Sequence, residues 1–217
     1  GAGVDLSLLC RSADAATSTS TVITDAARHQ IAFHHAGAYA TVTTADLPAG
    51  WDDGLGALLI TSVPLLSGLR SDGYAMLLRA ARTQGALTAM DIGPAIGRVA
   101  TLAELQPLLP MIDYLIGNEH EFSMLGVGAL NEAVTAALAG GAQHVIIKRG
   151  AAGARVHTTD GAQEVPALRV PVRQTVGAGD TFDAGLLWAL CSGQAVGDAV
   201  RWGHATAACV VMADEGV

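Results

Sequence analysis

The sequence predicts an α/β protein, a three-layer core around a mostly parallel sheet, with a small β appendage. Three observations carry this. From about residue 57 onward, short apolar runs alternate with amphipathic helical stretches across short loops, the mark of βαβ units. Residues 17–39 follow a different rhythm, two β-rich runs of alternating character. The 217 residues are 51% hydrophobic but only 4% aromatic, so one sizeable core of Ala, Leu, Val and Ile is available.

The elements follow in order. "STSTVITD" and "HQIAFHHAG", joined by "DAAR", read as a hairpin. "ALLITSV" (57–63) is an apolar strand, and "SDGYAMLLRAARTQG" (71–85) a helix that opens on a Ser/Asp cap and closes on Gly85. "ALTAMDIG" (86–93) is a strand, "TLAELQPLL" (101–109) a helix and "IDYLIGN" (112–118) a strand. "EHEFSML" makes a short helix, "LNEAVTAALAGG" (130–141) a longer one, and "HVIIKRG" (144–150) a strand. Two short runs around Asp160-Gly161 signal a second hairpin. Helical "DTFDAGLLWALCSG" and "AVGDAVRWGHATAACVVMA" complete the pattern. The expected organisation is a core of residues 1–16 and 40–217 with a β-hairpin lid at 17–39.

A net charge of −8 argues against nucleic acid and anionic membranes as general partners. No apolar run approaches the roughly 18 residues of a membrane span. No signal-peptide pattern is visible, so a cytoplasmic protein is expected. Cys10, Cys191 and Cys209 are odd in number and far apart, which suggests small buried thiols rather than disulfides or a zinc knuckle. "GAGVDL" (1–6) does not complete a dinucleotide fingerprint. His34 and His35 are adjacent on a strand and point to opposite faces, so they do not share a metal ion.

The stretch "TVGAGDTFDAG" (175–185) places three small residues, Gly177, Ala178 and Gly179, directly before the carboxylate of Asp180. A helix starting there offers unpaired N–H groups to an anion. An acid beside an anion site makes chemical sense in phosphoryl transfer to an alcohol. The N–H groups neutralise the moving phosphoryl group, and the carboxylate takes the proton of the attacking hydroxyl. The spacing is not that of a P-loop. The plainer alternative is that Asp180 caps a helix and the glycines turn. Asn118 followed by Glu121 also fits a capping box. Asp183 lies on the same helix face as Asp180, where a structural role is the simpler reading and repulsion of the base the other.

"TVGAGDTFDAGLLWAL" resembles the signature of the ribokinase-like (PfkB) carbohydrate kinases, D-T-x-G-A-G-D-x-F. "GVDLS" and the hairpin ending "FHHAGA" resemble the family's lid and its G-A-N corner. "IGNEHEF" resembles its N-x-x-E motif, and "IIKRGAAGA" its nucleotide-holding strand and turn. The resemblance covers nearly the whole chain. It implies a ribokinase-like, Rossmann-type core. It implies an ATP-dependent kinase acting on a sugar hydroxyl, with a nucleoside kinase or a non-catalytic nucleotide- or sugar-binding sensor as alternatives. It makes Asp180 the base and Gly177, Ala178 and Gly179 the anion hole. Asn118 and Glu121 would organise Mg²⁺. Lys148, Gly150, Gly153, Thr175 and His204 would lie along the nucleotide, and His35 and Gly37 would meet the acceptor. Pairing of lids implies a homodimer.

The sequence departs from that family at several points. Gln174 replaces the signature's leading Asp, which leaves dependence on a monovalent cation open. Tyr39 replaces the Asn of the lid corner. "DIGPA" carries Gly93 and Ala95 where the D-x-N-x-R motif has Asn and Arg, and Arg98 is the substitute considered. Members begin with a strand and a Gly-Gly segment ahead of "GVDLS". The expectation is therefore an internal fragment of a longer kinase, lacking that segment and the extreme C-terminus.

Overall fold

The computed structural model describes residues 5–9, 11–24, 30–70, 72–94 and 96–213. The "DAAR" turn, most of "GAGVDL", Cys10, the Ser71 cap and Ala95 lie outside them. Strands β1 (Thr19–Thr24) and β2 (Gln30–His35) form an antiparallel ribbon of their own. The main sheet holds β3 (Ala57–Ile60), β4 (Leu87–Asp91), β5 (Tyr114–Asn118), β6 (His144–Lys148), β7 (Ala154–Thr158) and β8 (Gly161–Val165), in that spatial order. β3 to β6 are parallel, whereas β7 and β8 each run antiparallel to the strand before.

The helices are α1 (Asp72–Thr83), α2 (Leu102–Leu105), α3 (Glu119–Ser123), α4 (Leu130–Ala139), α5 (Ala178–Cys191) and α6 (Val196–Met212). In α1, Tyr74, Leu77, Leu78 and Ala81 recur at helical spacing and are all buried, while Asp72 and Arg82 suit the helix dipole at its two ends. Alternation along the strands divides the core in two. Met90, Leu115, Val145 and Ile147 face the layer of α1 to α4. Ala89, Ile116, Ile146 and Val156 face α5 and α6, where they meet Phe182, Leu186 and Val200. Burial on both faces explains why the central strands read as continuous apolar runs.

Two expectations are corrected. The helix expected over 101–109 stops after Leu105, because Pro107 and Pro110 cannot supply the backbone donors a continuing helix needs. A single 3₁₀ turn, Leu109–Met111, carries the chain on to β5. Cys191 and Cys209 are exposed rather than buried. The inner stripe of α5 runs through Phe182, Asp183, Leu186 and Ala189, and Cys191 falls outside it. Cys209 follows the last buried residue of α6, Ala208.

At the sheet's N-terminal edge, Asp113 ties three strands together. One carboxylate oxygen accepts from Thr88 N–H (2.8 Å) and Thr88 Oγ1 (2.9 Å), the other from Gln143 Nε2 (2.8 Å) and Arg82 (3.3 Å). Asp113→Ala strands a half-buried backbone donor, so urea unfolding should show a loss of about 1–3 kcal/mol. Asp113→Asn, which keeps an acceptor, should lose less. Equal stability of Asp113→Ala and the parent would refute this role.

Candidate active site

The three central strands each end in a polar residue: Asp91 on β4, Asn118 on β5 and Lys148 on β6. The parallel register places Lys148 beside Asn118 and Asp91 beside Ile116, so these side chains gather at the sheet's C-terminal edge. Open α/β sheets carry their ligand crevices at that edge. The start of α5 reaches the same place, since a methyl group built on Gly179 would lie 3.5 Å from Lys148 Nζ.

α5 begins without a side-chain cap. Its N-cap is Gly177, in the left-handed conformation at φ 79°, which glycine adopts without strain. Ala178 N–H donates to Thr175 O (3.2 Å) and Thr181 N–H to Gly177 O (3.0 Å). The expected anion hole is thereby altered: Ala178 is already engaged, because the chain turns back on itself at Thr175. Gly177, Gly179 and Asp180 are left as the N–H groups without a carbonyl partner among the described residues. The Asp180 side chain is exposed and has no hydrogen-bond or ion-pair partner among those residues.

Behind this opening lies a buried charge cluster. Lys148 donates to Asp91 Oδ2 and stands 3.5 Å from Asp183 Oδ1. The side chains of Lys148, Asp91 and Asp183 are 16%, 9% and 1% exposed. Burial acts to lower the Lys148 pKa, but the charges of Asp91 and then Asp183 outweigh it and hold the ammonium above its ordinary value. Burial likewise acts to raise Asp91, and the neighbouring Asp183 carboxyl together with the charge and hydrogen bond of Lys148 turns the balance downward. Asp183 is pushed up to about 9, chiefly by burial and further by Asp91. At neutral pH the trio is a carboxylate, an ammonium and a neutral carboxyl. Asp183 Oδ2 is left buried without a hydrogen-bond partner. Asp183 turns inward to Lys148 and Asp91, while Asp180 faces out.

Asn118 and Glu121 form the capping box that their spacing allows. Asn118 Oδ1 accepts from Glu121 N–H (2.9 Å), and Glu121 Oε2 accepts from Asn118 N–H (2.7 Å). Burial raises the Glu121 pKa, opposed by that backbone bond and supported by nearby Asp91. Among the described residues, no group of three or more His, Cys, Asp or Glu side chains is placed to hold a metal ion alone. One carboxylate at the edge of an anion site still fits Mg²⁺. That ion usually takes one or two carboxylates and completes its shell with phosphate and water.

The remaining expected residues fall in several places. Gly150 and Gly153 bound the turn after β6, and Gly153 allows no side chain because Val165 O would lie 2.2 Å from a Cβ. Thr175 holds the α5 start through its carbonyl. His204, on α6, is half-buried against the edge of Phe182 with Nε2 3.3 Å from Val165 O, and burial lowers its pKa. Gln174 Nε2 donates to Val210 O at 2.6 Å. His35 and Gly37 lie on the ribbon and just past it; no hydrogen bond or ion pair among the described residues joins them to the charge cluster. Tyr39, in the altered corner, is engaged by His34, whose Nδ1 is 2.7 Å from Ser20 Oγ.

Gly93 explains one departure from the family motif. A Cβ there would lie 2.5 Å from Ser62 Cα, so Asn has no room. Arg98 is committed to Glu104 at 2.8 Å and does not replace the missing arginine. Sequence reasoning missed Asp91 as part of the site, and also Arg149, which bridges Glu119 (3.3 Å) and Glu164 (2.9 Å). The available signal for Asp91 was three consecutive strands ending in a polar residue.

The Asp183 shift has a signed consequence. Its folded pKa lies above the unfolded value, so the folded state holds a proton that the unfolded state releases. Its contribution to stability is full below about pH 4 and declines as pH rises toward about 9. Between pH 7 and 9 the parent should lose stability relative to Asp183→Asn. Urea midpoints across that range read this directly, and parallel profiles would refute it.

Comparison with known proteins adds four likenesses. The chain matches the pfkB family carbohydrate kinase over residues 1–215. It is 34% identical to a fructokinase of Rhizobium leguminosarum bv. trifolii over 153 residues, 69% of this chain and 47% of that protein. It is 38% identical to a 5-dehydro-2-deoxygluconokinase of Photobacterium profundum over 103 residues, 44% of this chain and 31% of that protein. The match thus spans less than half the length of these relatives. The crystal structure of a ribokinase from Thermotoga maritima superposes with a TM-score of 0.72 at 23% identity, covering 93% of this chain and 65% of that one. The family match runs over nearly the whole chain, and the fold and the G-A-G-D helix start accord with it: the chain belongs to the pfkB family of carbohydrate kinases.

Proposed function

We propose that the protein is an ATP-dependent sugar kinase that moves the γ-phosphoryl group to a carbohydrate hydroxyl. The observation that carries this reading is the pairing at the α5 start of an exposed Asp180, without a partner among the described residues, with open backbone N–H groups and the Lys148 ammonium. Asp180 accepts the proton of the attacking hydroxyl. The N–H groups of Gly177 and Gly179, at the positive end of the α5 dipole, stabilise charge on the phosphoryl oxygens. Lys148 meets a phosphate as a point charge. Gly150, Gly153, Thr175 and His204 line the nucleotide's path in this reading. Glu121, held by Asn118, would bind Mg²⁺, which when present supplies charge neutralisation on the phosphates.

The β1–β2 ribbon serves as the lid, with His35 and Gly37 toward the acceptor. Ile23, Ile31 and Phe33 share one face of it and are 57%, 63% and 62% exposed. Such a face is well suited to pairing with a second copy, so a homodimer is part of the proposal. Use of ATP fits a cytoplasmic place of work. Among the described residues, no helix is long and apolar enough to cross a membrane.

Release of ADP should be measured from ATP and Mg²⁺ over ketoses, aldoses, sugar acids and nucleosides. Turnover should appear on a sugar and fall about 10²–10⁴-fold in Asp180→Asn while nucleotide binding persists. A preference for nucleosides would redirect the acceptor class. Equal rates in parent and variant would favour a sensor. In light scattering, Phe33→Glu should shift a dimer to a monomer; a monomeric parent at micromolar concentration would remove the dimer from the proposal.

A further inference from the structure

Asp183 lies one helical turn beyond the proposed base, buried where Asp180 is exposed. Its side chain is 1% exposed, and one of its oxygens has no hydrogen-bond partner. A buried carboxyl with an unsatisfied oxygen is a poor device for stability alone. Its neighbours indicate what else it does. Lys148 Nζ stands between Asp91, at the end of β4, and Asp183, in the second turn of α5. The same ammonium lies 3.5 Å from where a Gly179 side chain would begin, at the open start of α5.

We propose that Asp183 is a positioning residue: together with Asp91 it holds the Lys148 ammonium against the N-terminus of α5, in register with Asp180. This rests on the kinase reading and deepens it. Asp180 and Asp183 are three residues apart on one rigid helix. The contact from Asp183 to Lys148 therefore fixes the cation on β6 relative to the base on α5. Without it, the two groups are related only through the packing of a strand and a helix. Helices and strands hold such geometry better than loops do. The arrangement also lets the lysine turn outward. When a phosphate draws Lys148 away, Asp91 keeps the hydrogen bond that its Oδ1 accepts from Gly93 N–H (2.8 Å) and is not left as a bare buried charge.

Two features separate this role from simple core filling. The effect of Asp183 passes through Lys148, and it depends on polar contacts that Asn reproduces in shape. The test is equilibrium binding of mant-ADP with Mg²⁺ to the parent, Asp183→Ala, Asp183→Asn, Lys148→Met and Asp183→Ala/Lys148→Met, with thermal melts to confirm folding. Asp183→Ala should weaken binding about tenfold, the scale of one charge-assisted contact. The double variant should bind within about twofold of Lys148→Met, because the second loss has nothing left to act on. Asp183→Asn should recover most of the affinity lost in Asp183→Ala. Should Asp183→Ala fail to fold, Asp183→Ser takes its place in the same comparison. Unchanged affinity in the single variant, or losses that multiply in the double, would overturn the positioning role and leave the kinase reading standing. A folded parent that binds no nucleotide would overturn both.

Discussion

Lys148 stands where β4, β6 and α5 converge, and its ammonium is what makes that convergence tolerable. Asp91 and Asp183 come from different elements and are both buried. Two carboxylates so placed would repel at short range in a medium that screens poorly. The structure answers with one cation and one retained proton. Lys148 neutralises Asp91, and Asp183 remains a neutral carboxyl. Such a cluster gains little net stability over an apolar packing of the same volume. What it secures is position. β6 reaches the sheet's edge with its last side chain aimed at α5, and α5 is fixed at the edge where its open N-terminus faces solvent.

Much of this was legible in the sequence because it rests on local signals. The alternation of strands and helices, the hairpin at Asp160-Gly161 and the start of α5 each depend on a few adjacent residues, and each appears close to where the pattern places it. The helix at Leu102 was overextended because its apolar spacing continues past Pro107, where the backbone does not. The charge cluster was harder to see. Asp91, Lys148 and Asp183 are separated by 57 and 35 residues, and their proximity follows from strand register and helix docking. Lys148 taken alone reads as an exposed strand end, and Asp183 as one more polar residue in a helix. Gly93 presents a similar case. Its absence of side chain looks like motif loss until Ser62 is seen occupying the space.

Two helix starts in the same site show how differently backbone donors can be handled. α3 closes its own N-terminus: Asn118 and Glu121 satisfy each other's N–H groups. α5 has Gly177 at its cap and no side chain to accept from its first turn. A helix with Gly at its cap gives up only about a few tenths of a kcal/mol relative to Ser or Asp, and its donors are left for something else. The two starts therefore differ in what they leave open: α3 holds a fixed carboxylate, and α5 leaves backbone N–H groups free, which the proposed kinase would use for an anion.

The balance of charge then constrains what that anion can be. The edge gathers carboxyl groups at Asp91, Glu121, Asp180 and Asp183 against the single ammonium of Lys148. Proton retention removes Asp183 from the count, and Asp91 consumes the lysine's charge. Glu121 and Asp180 remain beside the open helix end. A polyphosphate entering alone would meet both of them with backbone dipoles and a partly committed lysine in its favour. In the proposed kinase, entry would become favourable if the phosphates brought a divalent cation that Glu121 helped to bind, since that ion would reverse the local sign. The cap on α3 thus has a second consequence. By pinning one oxygen of Glu121 to the backbone of Asn118, it directs the carboxylate to the edge where such a cation would arrive.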